Sequence, residues 1–481
     1  MSNKKNVVII GAGWGGLSAA HILSKHKNLN ITVIEKEENI GGQANSGFEK
    51  LCYVENSWRV YFDGYYNLKN ILKEIGISCT LTPLGDTCLS YKGKCIKFSS
   101  FKNMTLYGML RTFNISIKKI LKLIYIFSLP KEIIYKKFKN VKFIDYIGDD
   151  KILITIIGPI LGLEAKDVSI PAIYSLTERF FNIGKTMDTK YNMWQVTTGP
   201  PNISIFDKWK EYLEKQGVKF IMNTSCKKVD AEKKKVYIDK KNLISDHIIV
   251  CCSLNAAVKI TKSLSTKSKS IRNLKKLYPC LQYYFSINFY LSEELGDIYN
   301  HILIDQPWKP IIQTKRTKEW TILINNECNK KIKDIWTVAV IDKFQGKNLK
   351  KILRNCSIKE AIEETLYQLK TDKFIKSLKS CSGKSFEDLL IGTEIYHYWK
   401  NKNGKIFTTN PKFSYNAGYS DYLIETSPKD VPQNLHFGAY YCKDTYFNGT
   451  GVSMEGSCRN GLLAGRDVLE SLGIKQKMKI Y

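Results

Sequence analysis

The sequence predicts an α/β protein built on a parallel sheet, and three observations support this fold class. Residues 7–10 form a continuous apolar run, which is typical of a buried parallel strand, and lead directly into a glycine-rich stretch. Small and apolar residues then recur at helical spacing before a second apolar run at 31–34. Strand-like runs return at 217–221 and 434–438. We therefore expect a βαβ unit at the start of the chain and a sheet to which the chain returns twice.

The glycine-rich stretch has the G-x-G-x-x-G pattern of a Rossmann-type dinucleotide-binding turn, although such a turn can also be purely structural. Gly11 allows the tight turn, Gly13 lets the backbone approach a pyrophosphate, and Gly16 lets the helix pack on the strand. Glu35 ends the second strand, where its carboxylate can accept both ribose hydroxyls of an adenosine and disfavours a 2′-phosphate. The nucleotide contacts predicted in this part of the chain are Gly11, Gly13, Trp14, Gly15, Gly16, Glu35 and Lys36.

Composition limits the classes of partner. The 481 residues include 74 Lys and Arg against 45 Asp and Glu, a formal net charge of +29, so nucleic acid, an anionic membrane or a phosphate-rich ligand could each be attracted. The lysines are scattered along the whole chain and no nucleic-acid-binding module is recognisable, which disfavours nucleic acid. The six histidines show no metal-ligand spacing, so no metal site is predicted.

The cysteines and the N-terminal residues predict the cellular compartment of the protein. None of the thirteen cysteines forms a C-x-x-C pair, which fits a reducing compartment. The sequence contains neither a signal-peptide pattern nor an apolar span of about 18 residues. We therefore expect a cytoplasmic protein that is not secreted and has no transmembrane helix.

A second glycine pair follows shortly after Glu35, in the sequence Ile40-Gly41-Gly42-Gln43. With this pair the chain resembles the superfamily of flavin-dependent amine oxidases and carotenoid (phytoene) desaturases. In that superfamily the glycine-rich turn, the strand-end Glu and a Gly-Gly-Arg or similar triplet bind FAD together. The resemblance implies that Gly41, Gly42 and Gln43 contact FAD, with Gln43 standing where a basic residue is common. A plain surface turn is the alternative.

Residues 55–68 resemble the segment of the desaturase branch that passes the flavin, in which a Glu, a His, paired aromatics, a Gly and a Tyr recur in this order. Arg59 replaces the His and is the candidate catalytic residue. A cation held near the flavin would stabilise the anionic reduced ring and so favour hydride acceptance. The alternative is a salt-bridged Arg59 among aromatic core residues.

Residues 217–229 are similar to the second FAD-binding motif of the superfamily, in which a Val clamps the adenine through its backbone. Cys226 takes the place of that Val. Because the implied contact is made by the backbone, a small Cys should serve equally well. A reactive thiol is disfavoured at this position, since the sequence places no base beside it.

Residues 453–457 and the last strand-like run resemble the closing pair of the superfamily, a helix beginning Met-Glu-Gly and a strand ending in Ala-Gly-Asp/Glu. The resemblance implies that Ser453 and Met454 face the flavin or its pyrophosphate, since amides at a helix start attract negative charge. The strand lacks the acidic residue, so the hydroxyl of Tyr440 or the carboxylate of Asp444 is expected in its place.

The resemblance implies a discontinuous Rossmann-type FAD-binding domain with an inserted α+β substrate domain. Its expected chemistry is hydride transfer from a C–H bond of a small molecule to flavin, desaturase-like and on an apolar substrate. An amine oxidase is the first alternative; it requires a Lys near flavin N5 and an aromatic cage, for which Tyr440 and Tyr441 are candidates. A flavoprotein-like fold without catalysis, which serves as a binding or structural protein, is the second. The expected boundaries are 1–79, 195–255 and 431–481 for the FAD-binding domain, and 80–194 and 256–430 for the substrate domain.

Residues 117–131 couple apolar side chains to a cluster of lysines. Such a segment can lie in a membrane interface, where each Lys near an anionic leaflet contributes on the order of 1 kcal/mol. A core helix of the substrate domain with solvated lysines is the other interpretation. Peripheral membrane contact is therefore a possible partner interaction beside the small-molecule substrate.

Overall fold

The computed structural model describes residues 4–56, 59–62, 64–85, 87–97, 116–148, 167–174, 194–239, 241–341, 344–414, 416–443, 453–476 and 478–481. The alternative carboxylate, Asp444, lies outside these residues.

Helices and strands alternate at the start of the chain and mix less regularly later. The strands are β1 (Lys5–Ile10), β2 (Leu29–Ile34), β3 (Ser46–Phe48), β4 (Tyr53–Glu55), β5 (Tyr61–Phe62), β6 (Leu81–Pro83), β7 (Thr87–Tyr91), β8 (Lys94–Lys97), β9 (Trp194–Thr197), β10 (Lys219–Ile221), β11 (Cys226–Asp230), β12 (Lys235–Ile238), β13 (Asn242–Ile244), β14 (His247–Val250), β15 (Leu281–Gln282), β16 (Tyr284–Leu291), β17 (Asn300–Leu303), β18 (Ile311–Thr314), β19 (Asp334–Ile341), β20 (Leu390–Ile395), β21 (Trp399–Lys402), β22 (Lys405–Thr408), β23 (Lys412–Phe413) and β24 (Leu435–Phe437). The α-helices are α1 (Trp14–Ser24), α2 (Tyr66–Glu74), α3 (Ile117–Ser128), α4 (Lys131–Lys137), α5 (Phe143–Ile147), α6 (Asp207–Lys215), α7 (Leu254–Ile260), α8 (Lys269–Lys276), α9 (Lys318–Glu327), α10 (Ile358–Thr371), α11 (Lys373–Ser377), α12 (Phe386–Leu389) and α13 (Met454–Ser471).

A parallel sheet of order β10-β2-β1-β14-β24 forms the first layer. Its strands come from the three parts of the sequence that predict it. The four residues at the end of β1 and all four of β14 are buried, as expected for central parallel strands that are covered on both faces. All five strands run the same way, so their carboxyl ends meet at one edge, where open α/β sheets bind ligands.

Glycines let two helices cross in close contact beside this sheet. A Cβ atom on Gly461 of α13 would lie 1.9 Å from the carbonyl oxygen of Gly15 in α1, and one on Gly15 would lie 2.0 Å from that of Gly438. Gly16 acts as predicted, because a Cβ there would lie 1.8 Å from the carbonyl oxygen of Gly11. The last helix is thus held against the first by backbone contact.

A second, seven-stranded sheet has the order β20-β16-β19-β18-β17-β7-β8. Its neighbours pair antiparallel, except for the parallel pair β17 and β7. Every residue of the long strands β16 and β19 is buried. The strands of this sheet come from both predicted insertions, so the mixed sheet brings together segments that are far apart in the sequence.

Two disulfides, Cys52–Cys328 and Cys88–Cys95, join cysteines in the described structure. The cysteine spacing in the sequence predicts neither bond. No helix among the described residues has both the length and the apolar character needed to cross a bilayer.

Candidate functional site

A cavity of about 650 Å³ opens at the carboxyl edge of the parallel sheet. Its volume falls within the range of roughly 300–1,000 Å³ that is usual for ligand pockets. The predicted site residues that line it are Gly11, Gly13, Trp14, Gly15, Glu35, Lys36, Gly41, Gly42, Gln43, Arg59, Cys226, Tyr440, Ser453 and Met454. Of the predicted FAD contacts, Gly16 lies outside that lining and serves the packing of α1 on β1. The fold therefore brings the three distant stretches of sequence to one cavity.

Two glycine turns meet at the start of α1. Gly11 has a φ of +101° and Gly41 a φ of +106°, conformations that favour glycine. The amide of Gly41 donates to the carbonyl of Ala12 at 2.8 Å, which ties the turns together. Gly13 is the N-cap of α1 and no side chain caps the helix. The first amides of α1 are therefore available to an anionic group in the cavity.

Glu35 is held at the end of β2 by backbone donors. Its two carboxylate oxygens accept from the amides of Ala12 (2.7 Å) and Glu37 (3.1 Å). Burial raises the pKa of Glu35, and these two hydrogen bonds oppose the rise. Neighbouring Lys36 pairs with Glu37 at 2.9 Å and donates to Thr409 at 3.1 Å. The carboxylate is thus fixed at the cavity wall, in the place expected to contact a ribose.

Gln43 connects the second glycine turn to the segment between β22 and β23, just before Lys412. Its amide nitrogen donates to the carbonyl of Pro411 at 2.8 Å and to the side-chain oxygen of Asn410 at 3.2 Å. Its backbone carbonyl accepts from the guanidinium of Arg59. Gln43 therefore fixes the shape of the cavity through its own hydrogen bonds, as well as lining it.

Arg59 lines the cavity, and a group of buried polar side chains holds its backbone in place. The carbonyl of Arg59 accepts from Gln313 at 2.7 Å, and Gln313 in turn accepts from Lys315 at 2.7 Å. Lys315 also pairs with Glu55 at 2.8 Å, and both side chains are buried. Burial lowers the pKa of Arg59, with Glu55 the largest opposing charge, and the Nε atom of Arg59 is buried without a hydrogen-bond partner in the described structure.

Lys412 is a cavity residue that the sequence analysis missed. It lies on β23, and its ammonium nitrogen is 3.9 Å from the ring centroid of Tyr284. Burial lowers the pKa of Lys412 well below 10.5, and the charge of Arg59 lowers it further. No sequence signal distinguishes this lysine from the many others, because its position depends on the pairing of β23 with β15.

Aromatic rings line much of the cavity, including Tyr284, Tyr398, Phe413 and Tyr440. The rings of Phe413 and Tyr440 stack at 5.2 Å, and the hydroxyl of Tyr440 accepts from the amide of Leu254 at 3.1 Å. Tyr441, the other expected cage residue, is fully buried in the hydrophobic core and is absent from the described lining. Only one of these two expected ring faces is therefore placed at the cavity.

At the start of α13, Ser453 and Met454 line the cavity, whereas Glu455 has a structural role. The hydroxyl of Ser453 accepts from the amide of Gly456 at 3.0 Å and so caps the helix, with Met454 following at the cavity wall. Glu455 lies behind the wall, where its carboxylate accepts from the amides of Asn67 and Leu68, each at 2.9 Å. These amides belong to the first turn of α2, so Glu455 stabilises the start of α2.

Cys226 lines the cavity at the start of β11. Burial raises the pKa of its thiol to about 12, and the thiol donates to the carbonyl of Lys228 at 3.7 Å. The thiol is therefore protonated near neutral pH. This agrees with the expectation that Cys226 is no nucleophile.

A family model matches the part of the chain that contains both glycine turns. Residues 9–75 match the family described as NAD(P)-binding Rossmann-like domain. The chain is 47% identical over 45 residues to an L-amino-acid oxidase of Notechis scutatus scutatus, which covers 9% of this chain and 8% of that protein. It is 32% identical over 81 residues to a carotenoid phi-ring synthase of Chlorobaculum tepidum, which covers 16% of this chain and 12% of that protein. The chain thus spans only a small part of these curated relatives.

Structural comparison extends the similarity to nearly the whole chain. A solved structure of putrescine oxidase bound to putrescine matches with a TM-score of 0.64 over 97% of this chain and 99% of that one. Sequence identity over the match is 14%, so the similarity concerns the fold. The architecture built around the parallel sheet and the seven-stranded sheet is therefore shared with that structure, while residue-level roles must come from the cavity itself.

Proposed function

We propose that this chain, a member of the superfamily of flavin amine oxidases and desaturases by its fold and glycine turns, is an FAD-dependent oxidoreductase. When bound, FAD supplies the acceptor for a hydride that leaves a C–H bond of the substrate. We further propose that segments 1–79, 195–255 and 431–481 form the FAD-binding domain and that segments 80–194 and 256–430 form the substrate domain. The observation that carries the proposal is Arg59, a cation in the wall of the cavity that the glycine turns and Glu35 also line.

The residues present fit FAD. Uncapped amides at the start of α1 suit a pyrophosphate, and the fixed carboxylate of Glu35 suits a ribose. Arg59 leaves a buried Nε–H donor without an acceptor, which disfavours an empty site, because buried donors are nearly always paired. If the glycine turns served the fold alone, neither the uncapped amides of α1 nor the fixed carboxylate of Glu35 would be needed at the cavity.

Arg59 would act by electrostatics and position. A guanidinium stays charged even where burial lowers its pKa, so it places a fixed positive charge beside the proposed ring position. The Glu55–Lys315 pair and Gln313 hold the backbone of Arg59. This arrangement stabilises negative charge that develops during the reaction without the side chain having to move.

The charges of the cavity favour a neutral apolar substrate. Among the described residues, the acidic side chains in the lining are Glu35 and Glu37, both at the nucleotide end. Around Arg59 and Lys412 the described lining holds neutral and aromatic side chains, such as Gln43 and Tyr284, and no carboxylate. A cationic amine would meet the charge of Arg59 there, because Glu55, the carboxylate that opposes this charge, is buried and is not among the described lining residues. This supports the desaturase-like reaction, the kind of chemistry that removes hydride from a hydrocarbon.

One observation favours an amine oxidase as the second candidate. The amine oxidase branch is expected to hold a Lys near flavin N5, and Lys412 is a buried lysine in the cavity wall beside Arg59. Burial lowers the pKa of Lys412, which favours the neutral amine, the form that can accept a proton. Amine and amino-acid oxidation by the named relatives concerns those proteins, and the support for this chain comes from Lys412.

Anaerobic reduction of the bound flavin separates these candidates. The purified protein is mixed without oxygen with a panel of primary amines and amino acids, and in parallel with a polyene-containing lipid extract, while flavin absorbance is followed. We expect the lipid extract to bleach the flavin. Bleaching by an amine alone would support the amine oxidase, and a yellow protein that nothing bleaches would support a binding protein without catalysis.

We also propose that the helical pair α3–α4 rests on an anionic membrane in the cytoplasm. Ile117, Leu121, Ile124 and Tyr125 recur along one face of α3 and are each at least half exposed, from 51% to 66%. Lysines 118, 119 and 122 flank this apolar face, which gives it the charge complementary to an anionic leaflet. Tyr135 on α4 lines the cavity, so the helical pair that carries this face also contributes to the cavity wall.

Vesicle flotation tests the membrane proposal. The wild-type protein should float with phosphatidylserine-containing vesicles at low salt and less well with purely phosphatidylcholine vesicles or at high salt. The double variant Leu121→Gln/Ile124→Gln should stay in solution. The matched control is Ile244→Gln, which removes an isolated side chain that is 70% exposed on β13. A wild-type protein that never floats, or that dimerises through α3 instead, would contradict the proposal.

A further inference from the structure

Three adjacent strands at one edge of the seven-stranded sheet place soft ligands in a row. His301 on β17 lies opposite Cys88 on β7 in the parallel pair. Ser90, two residues after Cys88, lies opposite Cys95 on the edge strand β8. Because alternate residues of a strand share a face, Cys88, Ser90, Cys95 and His301 lie on one face of the sheet.

The ligand atoms of Cys88, Cys95 and His301 lie within 4.8 Å of one another. His301 is 3% exposed, and its Nδ1 atom is buried without a hydrogen-bond partner in the described structure; the hydroxyl of Ser90 is equally unpartnered. The imidazole is held flat against the ring of Phe374, at 4.9 Å and 15°. An oriented buried nitrogen with nothing to bind indicates a missing ligand, since such groups are nearly always satisfied.

We propose that Cys88, Cys95 and His301 bind a Zn²⁺-like cation when the Cys88–Cys95 disulfide is reduced. A dithiol supplies two electrons and two protons and becomes a disulfide itself, or a phosphine supplies two electrons and takes an oxygen from water, whose two protons remain; either route converts the disulfide into two thiols. The cation then displaces both thiol protons to solvent and binds two thiolates and the neutral imidazole, with water as the fourth ligand. Two thiolates and an imidazole are a ligand set that zinc prefers.

The charges around His301 and the distance between the two cysteines explain why the metal ion and the disulfide cannot be present together. Lys97 and Arg316 act electrostatically on His301, so a cation is disfavoured there until two thiolates offset these charges. The Cα atoms of Cys88 and Cys95 are 5.5 Å apart, close enough for either a disulfide or a shared metal. The reducing compartment expected from the sequence would favour the thiol form.

The metal would stabilise the edge of the sheet. The β7–β8 hairpin is at the end of the sheet, and the three ligands would join it to β17. None of the three lines the described cavity, so this site is separate from the proposed flavin site and does not depend on its function. The histidine spacing in the sequence cannot reveal it, because His301 meets the cysteines only through strand pairing.

Zinc binding by the full-length protein, with whatever flavin it carries, tests the proposal. Protein is reduced with a phosphine, desalted without oxygen and titrated with Zn²⁺ against a coloured chelator. We expect one additional Zn²⁺ per chain in reduced over oxidised protein. His301→Phe keeps the ring stack on Phe374 and should weaken binding roughly tenfold or more, and Cys95→Ser, on the edge strand, should do the same.

Cys381→Ser is the matched control, because Cys381 is an exposed free thiol away from the cluster. It should leave binding unchanged, and flavin content with the thermal midpoint of metal-free protein should show that each variant is folded. Equal binding before and after reduction, full binding by both His301→Phe and Cys95→Ser, or loss of binding in Cys381→Ser would each overturn the proposal.

Discussion

Arg59 is the residue on which the proposed reaction depends most directly. Replacement by Met removes the positive charge and keeps much of the side-chain volume, so we expect substrate to reduce the flavin roughly tenfold or more slowly while FAD stays bound. Stopped-flow absorbance measures the rate. Arg272→Met, at an exposed arginine on α8, should leave it unchanged. Equal reduction by Arg59→Met and wild type would remove the proposed role.

The burial of Lys412 in the cavity wall should lower the free energy of unfolding of the protein. Its pKa is far lower in the folded protein than the 10.5 expected in the unfolded chain, so the unfolded state binds more protons between those two values. Stability therefore rises with pH in that window. We expect Lys412→Met to be more stable near neutral pH, by on the order of 1 kcal/mol for each unit of lowered pKa, and to lose this rise.

Denaturant unfolding of wild type and Lys412→Met between pH 7 and pH 10 checks this sign. Lys259→Met is the control, since Lys259 lies at the cavity but on the exposed side of α7. A variant that is less stable than wild type at neutral pH, with an unchanged pH dependence, would show that Lys412 is not strained by burial.

At the scale of elements, the crossing of α1 and α13 connects the two ends of the chain. Gly461→Ala would place a methyl group 1.9 Å from the carbonyl oxygen of Gly15, so the helices must separate. We expect a loss of about 2 kcal/mol or more in the free energy of unfolding and weaker FAD binding, because Gly15 and Met454 line the cavity. Gly64→Ala, where a Cβ has no neighbour within 4 Å, should change neither. Thermal unfolding with FAD titration compares the two.

The elements nearest the nucleotide could be predicted from sequence because local patterns define them. The apolar run of β1, the glycine turn, α1 and Glu35 follow one another within a single βαβ unit. The other site residues are brought together by contacts between segments that are far apart in the sequence. Lys412 reaches the cavity through β15, and Lys315 meets Glu55 across 260 positions, which no local pattern of charges reveals. The same holds for the Cys52–Cys328 bond.

At the scale of the whole molecule, three remote stretches of chain surround one cavity, and two insertions build a second sheet beside it. The first sheet was predictable because its strands are apolar and continuous. The second was not, because β7, with β8 beside it at the sheet edge, pairs with β17 more than 200 positions away in a mixed sheet. Substrate recognition is proposed to lie in this less predictable half, which is why the sequence defines the cofactor better than the substrate.

The flavin content of the purified protein tests the central claim most directly. Protein is denatured by heat, and the supernatant is analysed for FAD by fluorescence and chromatography, with protein concentration measured in parallel. The account predicts about one equivalent of FAD per chain, or its uptake to that level when FAD is added to apoprotein. A folded protein that releases no flavin and takes up none in a calorimetric titration would contradict it.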